Sequence, residues 1–326
     1  MKVLITTIPF ASKNPLPIKL LEDAGVEYEI NPLNRKLTEK DLYGLLDDHD
    51  VIIAGTEEIS ERVMKKNKNL KMISRVGIGL DSVNLIAAEK NGITVSYTPD
   101  APSPAVVDLT LGFIYTLLRH VHTSNIEMHN GKWERYFGKR LSECVVGIIG
   151  NGRIGSGVIK KLISLKPKAI LVNDLKKSDE YEDIPGVSWS GIDSILSDSD
   201  IVSIHVPLTK TTKNMIKKGE LMKMKHDSAI INTSRGGIIN EEDLYAVLKD
   251  GHLSGAAIDV FNDEPYSGKL REINRCILTA HMGSMSNDCR SKMEIDATKE
   301  AIRFLKNEKL MSQVPIDEYE VQRSGL

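Results

Sequence analysis

Residues 145–155 read Val145-Val146-Gly147-Ile148-Ile149-Gly150-Asn151-Gly152-Arg153-Ile154-Gly155, and this stretch decides the fold. Five mainly apolar residues make a buried strand, a Gly-x-Gly-x-x-Gly turn follows, and an amphipathic pattern runs on through Leu165. Glycines cluster in many tight turns, so the spacing alone is a weak signal; its place between a strand and a helix is what a dinucleotide turn requires. In such a turn Gly150 permits the sharp reversal, Gly152 lets backbone approach a pyrophosphate, and Gly155 lets the helix pack closely on the strand. The helix N-terminus then offers N–H groups and a favourable dipole to the phosphates. A second strand ends in Val172-Asn173-Asp174, 19 residues beyond Gly155. A carboxylate there accepts hydrogen bonds from the adenosine ribose hydroxyls and repels a 2′-phosphate, so the cofactor expected is NAD. Lys176 and Lys177, just past the acid, are the residues a 2′-phosphate would meet if the cofactor were NADP.

Outward from this turn, short runs of Val, Ile and Leu alternate with helical patterns in both directions. Strands are expected over 169–173, 201–205, 229–232, 256–260 and 276–279 on one side, and over 3–7, 51–54, 72–76 and 93–97 on the other, with helices over 18–24, 59–66 and 83–90. Continuous apolar strands separated by helices imply parallel sheets covered on both faces. The rhythm breaks at the proline-rich stretch 99–104, after which one long helix is expected over 105–129. The fold class is therefore α/β, with two doubly wound parallel-sheet domains. A Rossmann cofactor domain spans 101–285, and a flavodoxin-like domain combines 1–100 with 286–326. The second is discontinuous because the last periodic helix, about 288–307, has no strand of its own after it. From Met311 onward the chain is polar and is expected to be loosely held.

The bulk properties agree with a soluble enzyme. At 326 residues the chain is about twice the commonest domain size, and 41% apolar with 27% charged residues is the composition of a globular protein. A formal charge of −2 excludes the basic footprint of a nucleic-acid or anionic-membrane binder, so the expected partner is a small molecule. The longest apolar stretch, around 109–118, falls short of a membrane span, and the first residues lack a signal-peptide layout, which points to a cytoplasmic protein. Cys144, Cys276 and Cys289 are odd in number and widely separated; they suit neither a disulfide framework nor a zinc site, and no metal is expected. Leu109, Leu111, Phe113, Ile114, Leu117 and Leu118 carry more apolar surface than one helical face needs, so a homodimer through 105–129 is expected.

Further motifs lie along the chain: Gly77-Ile78-Gly79-Leu80-Asp81, His205-Val206-Pro207-Leu208-Thr209, Asn232-Thr233-Ser234-Arg235-Gly236-Gly237, Ala257-Ile258-Asp259-Val260-Phe261 with Glu264-Pro265, and His281-Met282-Gly283-Ser284. With the glycine turn, and in this order over nearly the whole chain, they resemble the D-isomer-specific 2-hydroxyacid dehydrogenase family. Its members include phosphoglycerate, glyoxylate/hydroxypyruvate and D-lactate dehydrogenases. The resemblance implies hydride transfer between NAD(H) and a 2-hydroxy acid/2-keto acid pair, D-stereospecific, with Arg235, Glu264 and His281 as the catalytic residues. It makes the discontinuous domain the substrate-binding one. The chemistry asks for these residue types. A guanidinium holds a carboxylate in a planar fork and polarises a ketone. An imidazole gives a proton to the developing alkoxide or removes it. A carboxylate beside the ring favours the protonated form and fixes its orientation. Independently of the resemblance, all three follow the carboxyl end of a strand, where ligands bind in open α/β sheets.

The resemblance also implies that Arg153 and Ile154 meet the pyrophosphate and that Pro207 borders the cofactor. Thr233, Ser234 and Asp259 would lie near the nicotinamide, with Asp259 taking its carboxamide. Arg75, Ile78 and Gly79 would join Arg235 as substrate contacts, the last two through backbone N–H groups. Arg75 matches a position that phosphoglycerate members can use for the phosphate, although unphosphorylated relatives carry arginine there too, so a 3-phosphoglycerate-like substrate stays among the expectations. The chain departs from the family in two ways: Ala280 stands where Pro usually precedes the catalytic His, and Pro102 and Pro104 stand where relatives often show Asn and Glu; the regulatory domain that some phosphoglycerate dehydrogenases append is not expected. The family also contains an NAD-sensing co-repressor, but a neutral chain without long disordered tails weighs against that alternative. Formate dehydrogenases share the architecture and carry Gln in place of the acid beside the His, so Glu264 argues against them. His120, His122 and His129 are expected at the surface, and His205 in backbone positioning.

Overall fold

Every strand in the computed structural model, which describes residues 1–324, pairs with its neighbours in parallel. The chain divides into two units, Met1–Pro102 with Met285–Leu326, and Ser103–Ser284.

The first unit runs β1 (Lys2–Ile5), α1 (Leu16–Asp23), β2 (Glu27–Ile30), α2 (Glu39–Leu45), β3 (Val51–Ala54), α3 (Glu61–Lys66), β4 (Met72–Arg75), α4 (Leu85–Lys90) and β5 (Thr94–Ser96). Its sheet order β2-β1-β3-β4-β5 is the flavodoxin-like arrangement. β3 and β4 are buried along their whole length, and Val51, Ile52 and Ile53 are fully enclosed. Each such side chain contributes about 1.5–3 kcal/mol when removed from water, which is why these strands read so plainly as apolar runs.

The second unit opens with α5 (Ser103–Leu118) and α6 (Val121–His129), followed by β6 (Val145–Ile149), α7 (Arg153–Leu165), β7 (Ala169–Asn173), β8 (Val187–Trp189), α8 (Ile192–Asp198), β9 (Ile201–Ile204), α9 (Lys218–Lys223), β10 (Ala229–Asn232), α10 (Glu241–Asp250), β11 (Gly255–Ile258) and β12 (Cys276–Leu278). Its seven strands lie in the order β12-β11-β10-β9-β6-β7-β8. That is the Rossmann order with one added edge strand, and β6, the strand before the glycine turn, is where the order reverses.

The expected helix over 105–129 is two helices. His120 takes a left-handed conformation at φ +53, which ends α5 as a helix-terminating residue does. α5 buries Phe113, Ile114, Leu117 and Leu118 in its own unit against β10, β11 and α7, whereas α6 buries no residue.

Residues 287–324 complete the first unit. α11 (Asn287–Leu305) is capped by the Ser286 hydroxyl, which accepts from the Cys289 N–H, and buries Met293, Ala297 and Ala301 against β3, β4 and α1. The polar tail is fastened rather than loose. α12 (Ile316–Ser324) places Tyr319 in the core beside Val314, and the Gln322 amide bridges the Leu85 N–H at 2.7 Å and the Val83 carbonyl at 2.8 Å. Among the described residues no helix is long and apolar enough to cross a membrane. All three cysteines are free and buried.

Candidate active site

The glycine turn is built as the strand-to-helix junction requires. A Cβ on Gly155 would fall 1.9 Å from the Gly150 carbonyl oxygen, so only glycine permits this packing of α7 on the turn. At Gly152 an added Cβ meets nothing within 4 Å, and Gly152 is the N-cap of α7 with no side-chain cap on the first turn. Open space before uncapped N–H groups fits a pyrophosphate. The Asp174 carboxylate follows β7; its Oδ2 accepts from the Asn151 N–H at 2.6 Å and its Oδ1 from the Lys176 N–H at 3.2 Å. Arg153 is exposed at the helix start, Ile154 is half-buried, and Pro207 is exposed just after β9. His205 supports the turn from below through its backbone, whose N–H donates to the Ile149 carbonyl at 2.7 Å. Burial pushes its imidazole down to about 4, so the ring is neutral near pH 7 and shares a hydrogen bond with Ser203 at 2.9 Å.

Glu264 and His281 pair at the other side of the same sheet. His281 Nδ1 lies 2.9 Å and 3.1 Å from the two Glu264 carboxylate oxygens. A carboxylate only accepts, so Nδ1 carries the donated proton and Nε2 is the atom left to exchange a proton with a substrate. Both side chains are partly exposed, at 38% and 29%, so a ligand can reach them. His281 has φ +48, uncommon for a residue with a Cβ, and is held there by its N–H, which donates to the carbonyls of Asp259 at 2.8 Å and Thr279 at 3.0 Å.

The buried Asp259 side chain tightens the same turn. Its Oδ1 accepts from the Thr279 hydroxyl at 2.6 Å and the Met282 N–H at 2.9 Å, and its Oδ2 from the Gly283 N–H at 2.8 Å. Burial pushes this carboxyl above the usual range against the pull of those donors. With Ala280 in place of proline, these bonds rather than a fixed ring hold the histidine-bearing backbone.

Arg235 follows β10 on a turn shaped by Asn232. The Asn232 amide donates to the Arg235 carbonyl at 2.8 Å, and its oxygen accepts from the Ser234 N–H and hydroxyl at 3.0 and 2.8 Å. The Arg235 Nη1 donates to the Ser234 carbonyl at 2.7 Å. Gly236 abuts the next strand end, where a Cβ would fall 2.0 Å from the Phe261 carbonyl, so the arginine turn lies directly against the turn leading to Glu264. Thr233 and Ser234 are buried, and the Thr233 hydroxyl meets that of Thr110 on α5 at 3.1 Å.

Arg75, Ile78 and Gly79 belong to the first unit. Ile78 and Gly79 are half-buried in the loop after β4, the strand end at which ligands bind in such sheets. Arg75 is only 6% exposed, and its guanidinium donates to the neighbouring Val76 carbonyl. The side-chain bond from the Tyr181 hydroxyl to Asn151 is absent from the sequence reading; Tyr181 stands in a polar stretch with no spacing signal.

The NAD-binding domain profile of the D-isomer-specific 2-hydroxyacid dehydrogenases matches residues 111–283. A hydroxypyruvate reductase of Thermotoga maritima is 31% identical, the match covering 85% of this chain and 92% of that protein. A glyoxylate reductase of Thermofilum pendens is 34% identical over 83% of this chain and 82% of its own. A D-3-phosphoglycerate dehydrogenase of Synechocystis is 32% identical over 81% of this chain, which spans about half (48%) of that longer protein. A solved structure from Thermus thermophilus superposes with a TM-score of 0.87 at 28% identity, covering 97% of this chain and 100% of that one. The glycine turn, the Rossmann strand order and these matches define an NAD-dependent oxidoreductase. The chain belongs to the D-isomer-specific 2-hydroxyacid dehydrogenase family.

Proposed function

We propose that the chain reduces a small, unphosphorylated 2-keto acid of the hydroxypyruvate or glyoxylate kind to the D-2-hydroxy acid. His281 acts as general acid, Glu264 as its orienting carboxylate and Arg235 as the carboxylate clamp. The observation that carries the reading is the Glu264–His281 contact beside an arginine-bearing turn. Bound nicotinamide supplies the hydride, and Nε2 of His281 supplies the proton the new alkoxide needs. Similarity to a hydroxypyruvate reductase and a glyoxylate reductase, at 31% and 34% identity, supports the unphosphorylated side of the choice. Steady-state assays with glyoxylate, hydroxypyruvate and pyruvate, and with 3-phosphoglycerate in the oxidative direction, test it by NADH absorbance. The highest kcat/KM is expected with one of the first two. A clear preference for 3-phosphoglycerate would sink the unphosphorylated reading, and no turnover with any of them would sink the reaction itself.

In this proposal Arg153 and Ile154 contact the pyrophosphate, Pro207 flanks the cofactor, and Thr233, Ser234 and Asp259 surround the nicotinamide. Asp259 Oδ2 has one donor and a remaining lone pair for a carboxamide. Asp174 should reject NADPH. Turnover with NADH is expected to exceed that with NADPH at equal concentration, and Asp174→Ala to narrow the ratio by roughly tenfold, the scale of one lost charged hydrogen bond. Equal use of both cofactors by the wild type would refute the assignment.

A homodimer is proposed as well, through α6 and the residues after it rather than through the leucine-rich part of the segment 105–129 that the sequence suggested. Phe113, Ile114, Leu117 and Leu118 are consumed by the core of their own unit, and Leu109 and Leu111 pack against it. The uncovered apolar surface lies further on. Val121 and Met128 of α6 are 55% and 49% exposed, and Trp133 and Phe137 project from an extended segment at 78% and 102%. Large apolar side chains left exposed within residues 121–137 suit a protein contact, and a second copy of the chain is the simplest occupant. Sedimentation at micromolar concentration should give a dimer, and Trp133→Ser with Phe137→Ser should shift it to monomer. A wild-type monomer under these conditions refutes the proposal.

A further inference from the structure

We propose that Tyr181 and Asn151 form a lock on the phosphate-binding turn, making Tyr181 a positioning residue for NAD. The inference rests on the dinucleotide reading of that turn. Asn151 stands between Gly150 and Gly152, where the backbone is least restrained by its own side chains. Three hydrogen bonds fix it. The Gly150 N–H donates to the Asn173 carbonyl at 2.8 Å, the Asn151 N–H to Asp174 Oδ2 at 2.6 Å, and the Tyr181 hydroxyl to Asn151 Oδ1 at 2.7 Å.

The donor is itself held firmly. Tyr181 ends the short 3-10 turn Asp179–Tyr181 that follows β7 and is 2% exposed in the core of its unit. Its ring centre lies 5.9 Å from that of Trp189, whose indole N–H donates to the Ser178 carbonyl at 3.1 Å. Burial raises the phenol to about 12, so it remains a donor across the working pH range. All three anchors, Asn173, Asp174 and Tyr181, come from the end of β7 and the segment after it. The turn that receives the phosphates and the carboxylate that receives the ribose are therefore tied into one piece, and the backbone between two glycines is ordered before any ligand arrives. Ordering in advance lowers the entropy lost on binding and so appears in affinity rather than in the hydride step.

A phenol satisfied only for the sake of the fold would behave differently, and Tyr181→Phe separates the two roles because it keeps the ring. Calorimetric titration with NADH and with ADP-ribose is expected to show about three- to tenfold weaker binding of both by the variant, the scale of one net hydrogen bond. kcat at saturating NADH should be unchanged. Asn151→Ala should weaken both ligands similarly, and the double variant should be no weaker than either single one, as coupled partners require. Unchanged NADH and ADP-ribose affinity in Tyr181→Phe, with or without a lower thermal midpoint, would overturn the lock alone. Additive losses in the double variant would also overturn it. Wild-type protein that bound neither ligand would overturn the dinucleotide reading and the lock with it.

Discussion

His281→Ala should lower keto-acid reduction by about a hundredfold to ten-thousandfold, the range spanned by loss of a positioned general acid. NADH affinity should stay within about twofold, because no bond of the glycine turn involves this side chain. The companion change, Glu264→Gln, keeps the shape and removes the charge 2.9 Å from Nδ1. A neutral amide oxygen replaces a charged acceptor at the ring, so the orienting bond weakens and kcat for keto-acid reduction should fall by roughly tenfold. Substrate KM should move little, since the carboxylate acts through the imidazole. An unchanged kcat in Glu264→Gln would show that the pair does not work as proposed, as would full turnover in His281→Ala.

Arg235→Lys is the second large effect: kcat/KM should fall roughly tenfold to a hundredfold, the scale of charge-assisted bonds to a carboxylate. The loss should be divided between a higher KM and a lower kcat. The clamp holds the substrate carboxylate in ground and transition states alike, which sets KM, and it also meets charge growing on the ketone oxygen, which sets kcat. Lysine preserves the charge but has no planar fork, so a positive charge alone does not rescue the geometry. The arginine turn is shaped by Asn232 and by the close approach of Gly236 to Phe261, neither of which depends on the guanidinium, so the variant should fold. A variant that lost only KM would show that Arg235 binds substrate without assisting the chemistry.

Legibility in the sequence followed burial. β6, β7 and β10 have the expected limits, 145–149, 169–173 and 229–232, because central strands of a parallel sheet are covered on both faces and must be apolar throughout. The edge strands β2 and β8 went unread. Glu27-Tyr28-Glu29-Ile30 is exposed or half-exposed along its length and carries charges suited to a sheet edge. The break in the helix over 105–129 has no glycine or proline to announce it; His120 adopts the left-handed turn that glycine more often makes. The tail was misread because its polar composition conceals two core residues, Val314 and Tyr319, and a glutamine whose partners lie more than 230 positions away. At the candidate site, the residue types and their strand-end positions were legible. The contact between Glu264 and His281 was expected from the family resemblance alone; spacing gives no sign of it, since 17 residues of chain are closed into one pair only by the alignment of β11 with β12. The Tyr181 bond was not legible, since it depends on the path of an irregular segment.

The strand order also acts as a ruler. In the sequence β7, β6, β9, β10, β11 across the sheet, the proposed cofactor contacts fall on successive rungs: Asp174, the glycine turn, Pro207, Thr233 and Asp259. Parallel neighbours are spaced by about 4.8 Å, so the four intervals measure out about 19 Å along the strand ends. On these contacts the long axis of the ligand runs across the strands, and its placement is counted in whole strands rather than tuned by individual side chains. Arg235 and Glu264 follow β10 and β11, the last two rungs of that scale, and His281 follows β12, one strand further. A point substitution can weaken the grip at one rung, but moving the reacting end away from the acid–base pair would take the insertion or loss of a strand.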